Sequence, residues 1–223
     1  MAKTNTTAEE QKLFFSDGSI REKKIIKNGK LEGEYTSYYK NGQILAQINF
    51  VHGRKNGPAA TYYNDGLIRE KANYTNGRMD GEYTSYYQNG NIREREYYKH
   101  GRLNGKYQIF YKNGQLKEEE NFKNDKFEGD YICYYKNGQI KEKGFFKNDK
   151  REGEYFAYFR SGQIKEKATY KNGNLKGKFL VFTEISAGNQ DSDNEENGSS
   201  RVWEEHEVAG LLQDLKHFDE KQK

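Results

Sequence analysis

Apolar and polar residues alternate along this chain in short runs, and glycine punctuates the runs at fixed intervals. The stretch Gly33-Glu34-Tyr35-Thr36-Ser37-Tyr38-Tyr39-Lys40-Asn41-Gly42-Gln43-Ile44 shows the pattern. It returns nearly verbatim from Gly81 to Ile92 and, with changes, five further times. Period-two alternation bounded by Asn-Gly predicts strands joined by tight reversals. Asn41-Gly42 is one such turn and Asn28-Gly29 the other, because asparagine tolerates the left-handed backbone conformation and glycine adopts it without penalty. Gly18, Gly42, Gly66, Gly90, Gly114, Gly138 and Gly162 keep a 24-residue spacing. A strand of 9 residues, a two-residue turn, a strand of 11 and a second two-residue turn fill that period with nothing left over. A period of this length marks a repeat array in which each unit contacts mainly its neighbours.

The expected fold is all-β: an elongated single-layer antiparallel β-meander of about seven 24-residue hairpin repeats, with a C-terminal helix. Residues 1–10 form an N-terminal arm, 11–183 the array, 184–200 an acidic linker rich in Asn, Asp, Glu, Ser and Gly and expected to be disordered, and 201–219 an amphipathic helix. Val208, Leu211, Leu212, Leu215 and Phe218 recur there at helical spacing, with Trp203 one turn earlier. That helix is expected either to cap the last exposed strand or to dock elsewhere as a tethered element. About 14 strands at ~4.8 Å spacing give a ribbon roughly 65 Å long.

With Asn41-Gly42 as the turn, Tyr39 opposes Ile44, Ser37 opposes Ala46 and Tyr35 opposes Ile48. One face then carries Tyr35, Tyr83, Tyr107, Tyr131 and Tyr155 in one column and Tyr39, Tyr63, Tyr87, Tyr111 and Tyr135 in another. The isoleucine column through Ile44 and the ring column through Ile26 and Phe50 complete it, and a ring of the latter is expected to lie over Gly33. These ten tyrosines are the candidate partner-binding residues. Glu22, Glu70, Glu94, Glu118, Glu142 and Glu166 lie on the same face, where tyrosine hydroxyls can donate to them. The reverse face is predicted to set Tyr38, Tyr62, Tyr86, Tyr134 and Tyr158 beside Arg21, Arg69, Arg93, Lys117, Lys141 and Lys165. Rings beside cations make this the candidate anion-binding face.

Two departures stand out. Pro58 and Ala59 replace the glutamate and tyrosine of the second repeat, which predicts a bulge, weak pairing or a bend near residues 55–60, serving as a hinge or a contact site. Asp125 and Asp149 replace glycine in two turns, which are expected to differ in type from the rest.

Composition narrows the function. Only 33% of residues are hydrophobic while 15% are aromatic, too little aliphatic material for a thick core but enough rings to cover a thin sheet. The first residues form no apolar leader and no run of 18 apolar residues exists, so the cytoplasm is the expected location. A lone cysteine excludes an intrachain disulfide, and Cys133 stands in a column of mostly small residues. The net charge of +4 divides into +11 over residues 1–183 and −7 from Glu184 onward. His52 and His100 occupy turns, and no histidine or cysteine has a companion at zinc spacing. No nucleophile elbow, phosphate loop or dinucleotide fingerprint is present. Catalysis, a metal and a cofactor are therefore not expected.

The recurring Gly-Glu-Tyr-x-x-Tyr-Tyr-Lys-Asn-Gly-Gln-Ile-Lys-Glu-Lys-x-x-Phe-Lys-Asn-Gly-Lys core resembles the MORN-repeat family, in particular the bacterial MORN-variant repeats of YwqK-family antitoxins. The resemblance covers about Gln11 to Thr183. It implies stacked antiparallel hairpins and a scaffold or interaction role, with toxin neutralisation as its most specific form. Three expectations follow: a non-catalytic scaffold binding another protein, such as a cognate toxin; attachment to anionic lipid or RNA, with RNA disfavoured by the modest net charge; and self-association through open sheet edges.

Overall fold

The alternating segments do become strands. The computed structural model describes residues 7–185 and 200–203, and every strand pairing described there is antiparallel. The chain divides into two compact units. Of the described residues, the first holds 7–116 and 122–125, the second 117–121, 126–185 and 200–203. In the first, hairpins run from Glu9–Phe14 through Ile20–Lys27, Gly33–Tyr38, Ile44–Val51, Arg54–Tyr62, Ile68–Thr75, Gly81–Tyr86 and Ile92–Lys99 to Arg102–Phe110. In the second they run from Gly129–Tyr134 through Ile140–Lys147, Gly153–Tyr158, Ile164–Lys171 and Phe179–Phe182 to Ser200–Trp203. No helix occurs among the described residues, so none there is long and apolar enough to cross a membrane.

The two reversals of a repeat are built differently. At Asn28-Gly29 both residues are left-handed, φ 53° and 73°, and Lys27 pairs with Lys30. This is the expected two-residue type I′ turn. At Asn41-Gly42 only Gly42 is left-handed, φ 85°. Gly42 N–H donates to the Tyr39 carbonyl at 3.0 Å and Tyr39 N–H donates to the Gln43 carbonyl at 2.7 Å. The loop therefore has three residues, a type I turn closed by a left-handed glycine. The Asn41 side chain enforces it by accepting the Gln43 N–H at 3.1 Å.

This turn corrects part of the register. Ser37 opposes Ala46 and Tyr35 opposes Ile48 as expected, but the ladder then steps to Tyr38 opposite Ile44 and leaves Leu45 as a bulge. The same step recurs at Leu13/Phe14, Thr61/Tyr62, Cys133/Tyr134 and Ala157/Tyr158. Gly33 does pair with Phe50. What a Cβ on these strand-start glycines would meet, however, is the neighbouring column: Ile25 at Gly33, Asn73 at Gly81 and Tyr97 at Gly105.

Asp125 and Asp149 keep the type I′ turn, at φ 66° and 65°, contrary to the expected change of type. Their carboxylates accept the backbone N–H of Leu103 and Phe127 at 2.8 Å each, which offsets the cost of a left-handed aspartate. Each turn is also stitched to the repeat before it. Gly53 N–H donates to the Leu31 carbonyl and Gly77 N–H to that of Lys55, both at 2.8 Å.

Pro58 does not break its strand, but the expected irregularity is present. The register to Ile44–Val51 shifts between Ile48 and Phe50, opposite residues 55–59, as it also does between Glu96 and Tyr98 where no proline stands. Arg54–Tyr62 pairs on both sides, and the ladder to Ile44–Val51 runs from Ile48↔Ala59 to Phe50↔Lys55, skipping the proline. The missing N–H thus falls where no partner waits.

Burial is sparse. The buried hydrophobic residues among those described are Ala46, Cys133, Tyr155, Ala157, Ala168, Tyr170 and Leu175. Five of these form one cluster in the second unit: Tyr155, Ala157, Ala168, Tyr170 and Leu175, with Phe179 packed against it.

Both ends differ from expectation. Glu9 and Glu10 already belong to the first strand rather than to an arm. Ser200–Trp203 is a strand paired with Phe179–Phe182, so residues 201–203 are extended rather than helical. A strand covers the Phe179–Phe182 edge, satisfying open backbone groups that a helix cannot reach so regularly. The remainder of the expected helix, 204–219, and residues 186–199 of the expected linker lie outside the described residues.

Candidate functional site: the two faces of the hairpins

The tyrosine columns do different work. In the Tyr39 column the hydroxyls point to the next repeat. Tyr39 donates to the Tyr62 carbonyl at 2.7 Å, Tyr63 to that of Tyr86 at 2.6 Å, Tyr87 to that of Phe110 at 2.8 Å and Tyr135 to that of Tyr158 at 2.7 Å. These residues staple neighbouring hairpins, and Tyr111 stands at the same position of the repeat. Their rings remain half-exposed.

The Tyr35 column packs ring against ring. Tyr35 meets Phe50 edge-on at 6.2 Å and Tyr107 meets Phe122 at 6.0 Å. In the second unit Tyr131 meets Phe146 at 5.9 Å and Tyr155 meets Tyr170 at 6.2 Å. Such contacts favour the quadrupoles and fix the rings' orientation.

Tyrosine hydroxyls donate, as expected of the column, to Glu142, while Glu70 and Glu94 accept from smaller hydroxyls. Glu142 accepts from Tyr131 at 3.1 Å and from Tyr155 at 2.8 Å. Burial and the facing carboxylate push both phenols above their ordinary range. Ser85 donates to Glu94 at 3.3 Å and Thr61 to Glu70 at 3.2 Å. Cys133 is buried in the same column, and burial, then the Glu142 charge, raise its thiol.

Glu120 is the least comfortable member of this face. Burial, with a hydrogen bond to Glu118 and that group's charge, pushes its carboxyl up from 4.5 to about 7. The folded chain therefore keeps a proton that the unfolded chain loses near pH 4.5. Stability from this group is full below that pH and falls as pH rises through about 7. Solvent screening at a half-exposed position damps the effect. Glu120→Gln is expected to melt about 2 °C above the parent at pH 8 and to match it at pH 4. Thermal scans at the two pH values check this, and a variant that melts lower at both would contradict it.

The reverse face is rearranged by the bulge. Arg21, Arg69 and Arg93 turn to the glutamate column, where their guanidiniums lie 3.6, 3.5 and 3.4 Å from Glu22, Glu70 and Glu94. Lys165 lies 3.2 Å from Glu166. The cations over rings come from a column that sequence reasoning missed. Lys23 lies over Tyr38 at 5.7 Å; Lys143 over Phe156 and Tyr158 at 5.3 and 5.8 Å; Lys167 over Phe156 at 5.2 Å. Lys141 is exposed and Lys117 half-exposed. Tyr62 donates to Gln47 at 2.9 Å, while Tyr86 and Tyr134 are half-exposed.

A second missed column holds the turns. Glu32, Asn56, Glu128 and Glu152 accept the backbone N–H of His52, Asn76, Asn148 and Asn172 at 2.8, 3.1, 2.8 and 2.8 Å. The signal was legible as a run of Glu, Asp and Asn at 24-residue spacing just before the strand-start glycine. His52 and His100 sit in these turns at φ 52° and 53° with exposed imidazoles. Among the described residues no group of three His, Cys, Asp or Glu is placed to hold a metal ion.

The second repeat opens hollows on the two faces of the first unit. One, of about 360 Å³, is lined by Ala59, Ala72, Tyr74, Met79 and Glu70 among others. The other, of about 620 Å³, lies beside Pro58, Ala60, Tyr62 and Tyr86.

No curated protein matches the chain. Five of its segments, residues 31–52, 79–100, 103–124, 127–148 and 151–172, do match the family described as MORN repeat variant. Each segment starts in the strand after one type I′ turn and ends in the next, so the hairpin described above is, in these five segments, similar to a MORN-variant repeat.

Proposed function

We propose that this protein is a non-catalytic scaffold that binds another protein through its tyrosine-bearing hairpin faces. The observation that carries this reading is the sparse burial: two of its rings, Tyr155 and Tyr170, are buried among the described residues, while columns of others stay half-exposed and oriented. Rings held by edge-on contacts and hydroxyl bonds present large contact area with little entropy left to lose. Contiguous apolar surface of this kind marks interaction sites. The most specific form of the role is neutralisation of a toxic partner, which rests on the YwqK-type resemblance of the repeat.

The test is capture of a partner by the full chain and by a Tyr35→Ser/Tyr83→Ser variant that retains its β-sheet circular dichroism. Loss of that partner by the variant is expected; undiminished capture would contradict the reading.

Attachment to anionic lipid or RNA has support from Lys143 and Lys167 over the Phe156 ring. Opposing it, Arg21, Arg69, Arg93 and Lys165 are already paired with glutamates. Flotation with anionic vesicles at low and high salt is expected to show little binding in either. Salt-sensitive binding would favour the lipid reading instead. Self-association is a third role, motivated by the strand Glu9–Phe14, which is exposed along its length.

A further inference from the structure

We propose that the hollow beside Ala59 is a recognition site for the phenol ring of a tyrosine presented by a partner protein; the partner rests on the scaffold reading, the ring site does not. The repeat supplies its own template. In the second unit Tyr155 stands opposite Ala168, meets Tyr170 edge-on at 6.2 Å and is covered by Arg151 at 4.5 Å. Leu175 closes that cluster.

In the first unit the equivalent positions are Ala59, opposite Ala72, with Tyr74, Lys55 and Met79. Lys55 lies over the Tyr74 ring at 4.9 Å, as Arg151 lies over Tyr170 at 5.3 Å. The second set has Lys55 for Arg151 and Met79 for Leu175, keeps the alanine and Tyr74, and lacks the phenol side chain. What remains is an open hollow of about 360 Å³, within the range of small-ligand sites.

The polar end follows Tyr131 rather than Tyr155. Tyr155 donates to Glu142, whose counterpart here is Ala46, whereas Tyr131 donates to Glu142 eleven residues ahead of it on the facing strand, and Glu70 stands in that relation to Ala59. Thr61 donates to one Glu70 oxygen at 3.2 Å and Arg69 lies 3.5 Å from the other, and each oxygen keeps a further acceptor site. Glu70 and Glu96 line the hollow against one cation, Lys55, which lies over the Tyr74 ring, so an anionic occupant is disfavoured and a neutral ring carrying a hydroxyl donor complements the charge. A bare hydrocarbon ring would fill the space and leave the acceptor unused.

The probe is 4-methylphenol, titrated against the full chain and followed by amide and methyl chemical shifts. Binding is expected with Kd on the order of 1 mM or tighter, with shifts confined to the neighbourhood of Ala59, Ala72, Tyr74 and Met79. 4-Methylanisole, the same ring without a donor, is expected to bind about tenfold more weakly. Ala59→Tyr is expected to abolish 4-methylphenol binding and to melt about 3 °C higher, because it restores the ring that the template carries. Ala59→Phe, which fills the space without the hydroxyl, should also abolish binding.

Binding that survives in both variants, or no binding by the parent, would overturn the site; equal affinity for the two ligands would overturn its phenol specificity. A partner captured equally by the parent and Ala59→Tyr, yet lost by Tyr35→Ser/Tyr83→Ser, would overturn the hollow while leaving the scaffold reading intact.

Discussion

Tyr155→Ala is expected to destabilise the second unit by about 4 kcal/mol, from ring burial and the cavity left behind. Tyr155 is 8% exposed and belongs to the buried cluster of that unit. Its ring meets Tyr170 edge-on, lies under Arg151, and its hydroxyl donates to Glu142 at 2.8 Å. The layer is one sheet thick, so apart from the Arg151 side chain little lies beside the ring to collapse into the gap. Tyr155→Phe keeps the ring and loses only the hydroxyl bond, for about 1 kcal/mol. Stability in a repeat array is passed between neighbours, so the loss should stay local. Hydrogen exchange is the readout: amides from Gly153 to Phe182 should lose protection in Tyr155→Ala while those from Ile20 to Tyr86 keep theirs. Uniform loss across the chain would contradict local coupling.

Gly105→Val is the second large effect, at about 3–5 kcal/mol. Gly105 has φ 137°, which side-chain-bearing residues rarely adopt, and a Cβ there would lie 2.9 Å from the Tyr97 Cβ. Neither atom can swing away, since both are fixed to paired strands. Gly138 is the control. Its φ is 85°, asparagine tolerates that region, and a Cβ meets nothing within 4 Å. Gly138→Asn should cost under about 1 kcal/mol. Urea unfolding of the two variants separates them, and similar midpoints would show that the backbone at Gly105 is freer than this geometry requires.

These two residues also show what the sequence made legible. Tyr155 and Gly105 each belong to a column that repeats every 24 residues, and the period alone located the strands, their turns and the Ser37/Ala46 and Tyr35/Ile48 register. The Asn41-Gly42 loop was misread because Asn-Gly suits two turn types, and the choice is made by the Asn41 side chain bonding Gln43. From that one extra loop residue follows the bulge at Leu45, and from the bulge the turning of Arg21, Arg69 and Arg93 to the glutamates. Period-two logic cannot see a bulge, so it left those cations on the wrong face.

The stapling role of Tyr39 was hidden for a different reason. A tyrosine at an apolar position reads as surface or core alike until its hydroxyl finds an acceptor, here the Tyr62 carbonyl of the following hairpin. Trp203 was read by helical spacing, yet residues 200–203 extend along Phe179–Phe182 because an uncovered strand edge competes with local propensity. At Pro58 and Ala59 the sequence announced an exception without its form. Its strand pairs on both sides around a register shift opposite residues 55–59, and what is particular to this repeat is the missing ring.

Site-specific photocrosslinking in the native cell tests the binding role most directly. A benzophenone side chain placed singly at Tyr35, Tyr83 or Tyr131 should trap one common protein, and the same probe at turn position Lys40 should not. If those three positions trap nothing while probes at Tyr38 and Tyr158 trap lipid or RNA, the tyrosine face is not where this protein meets its partner.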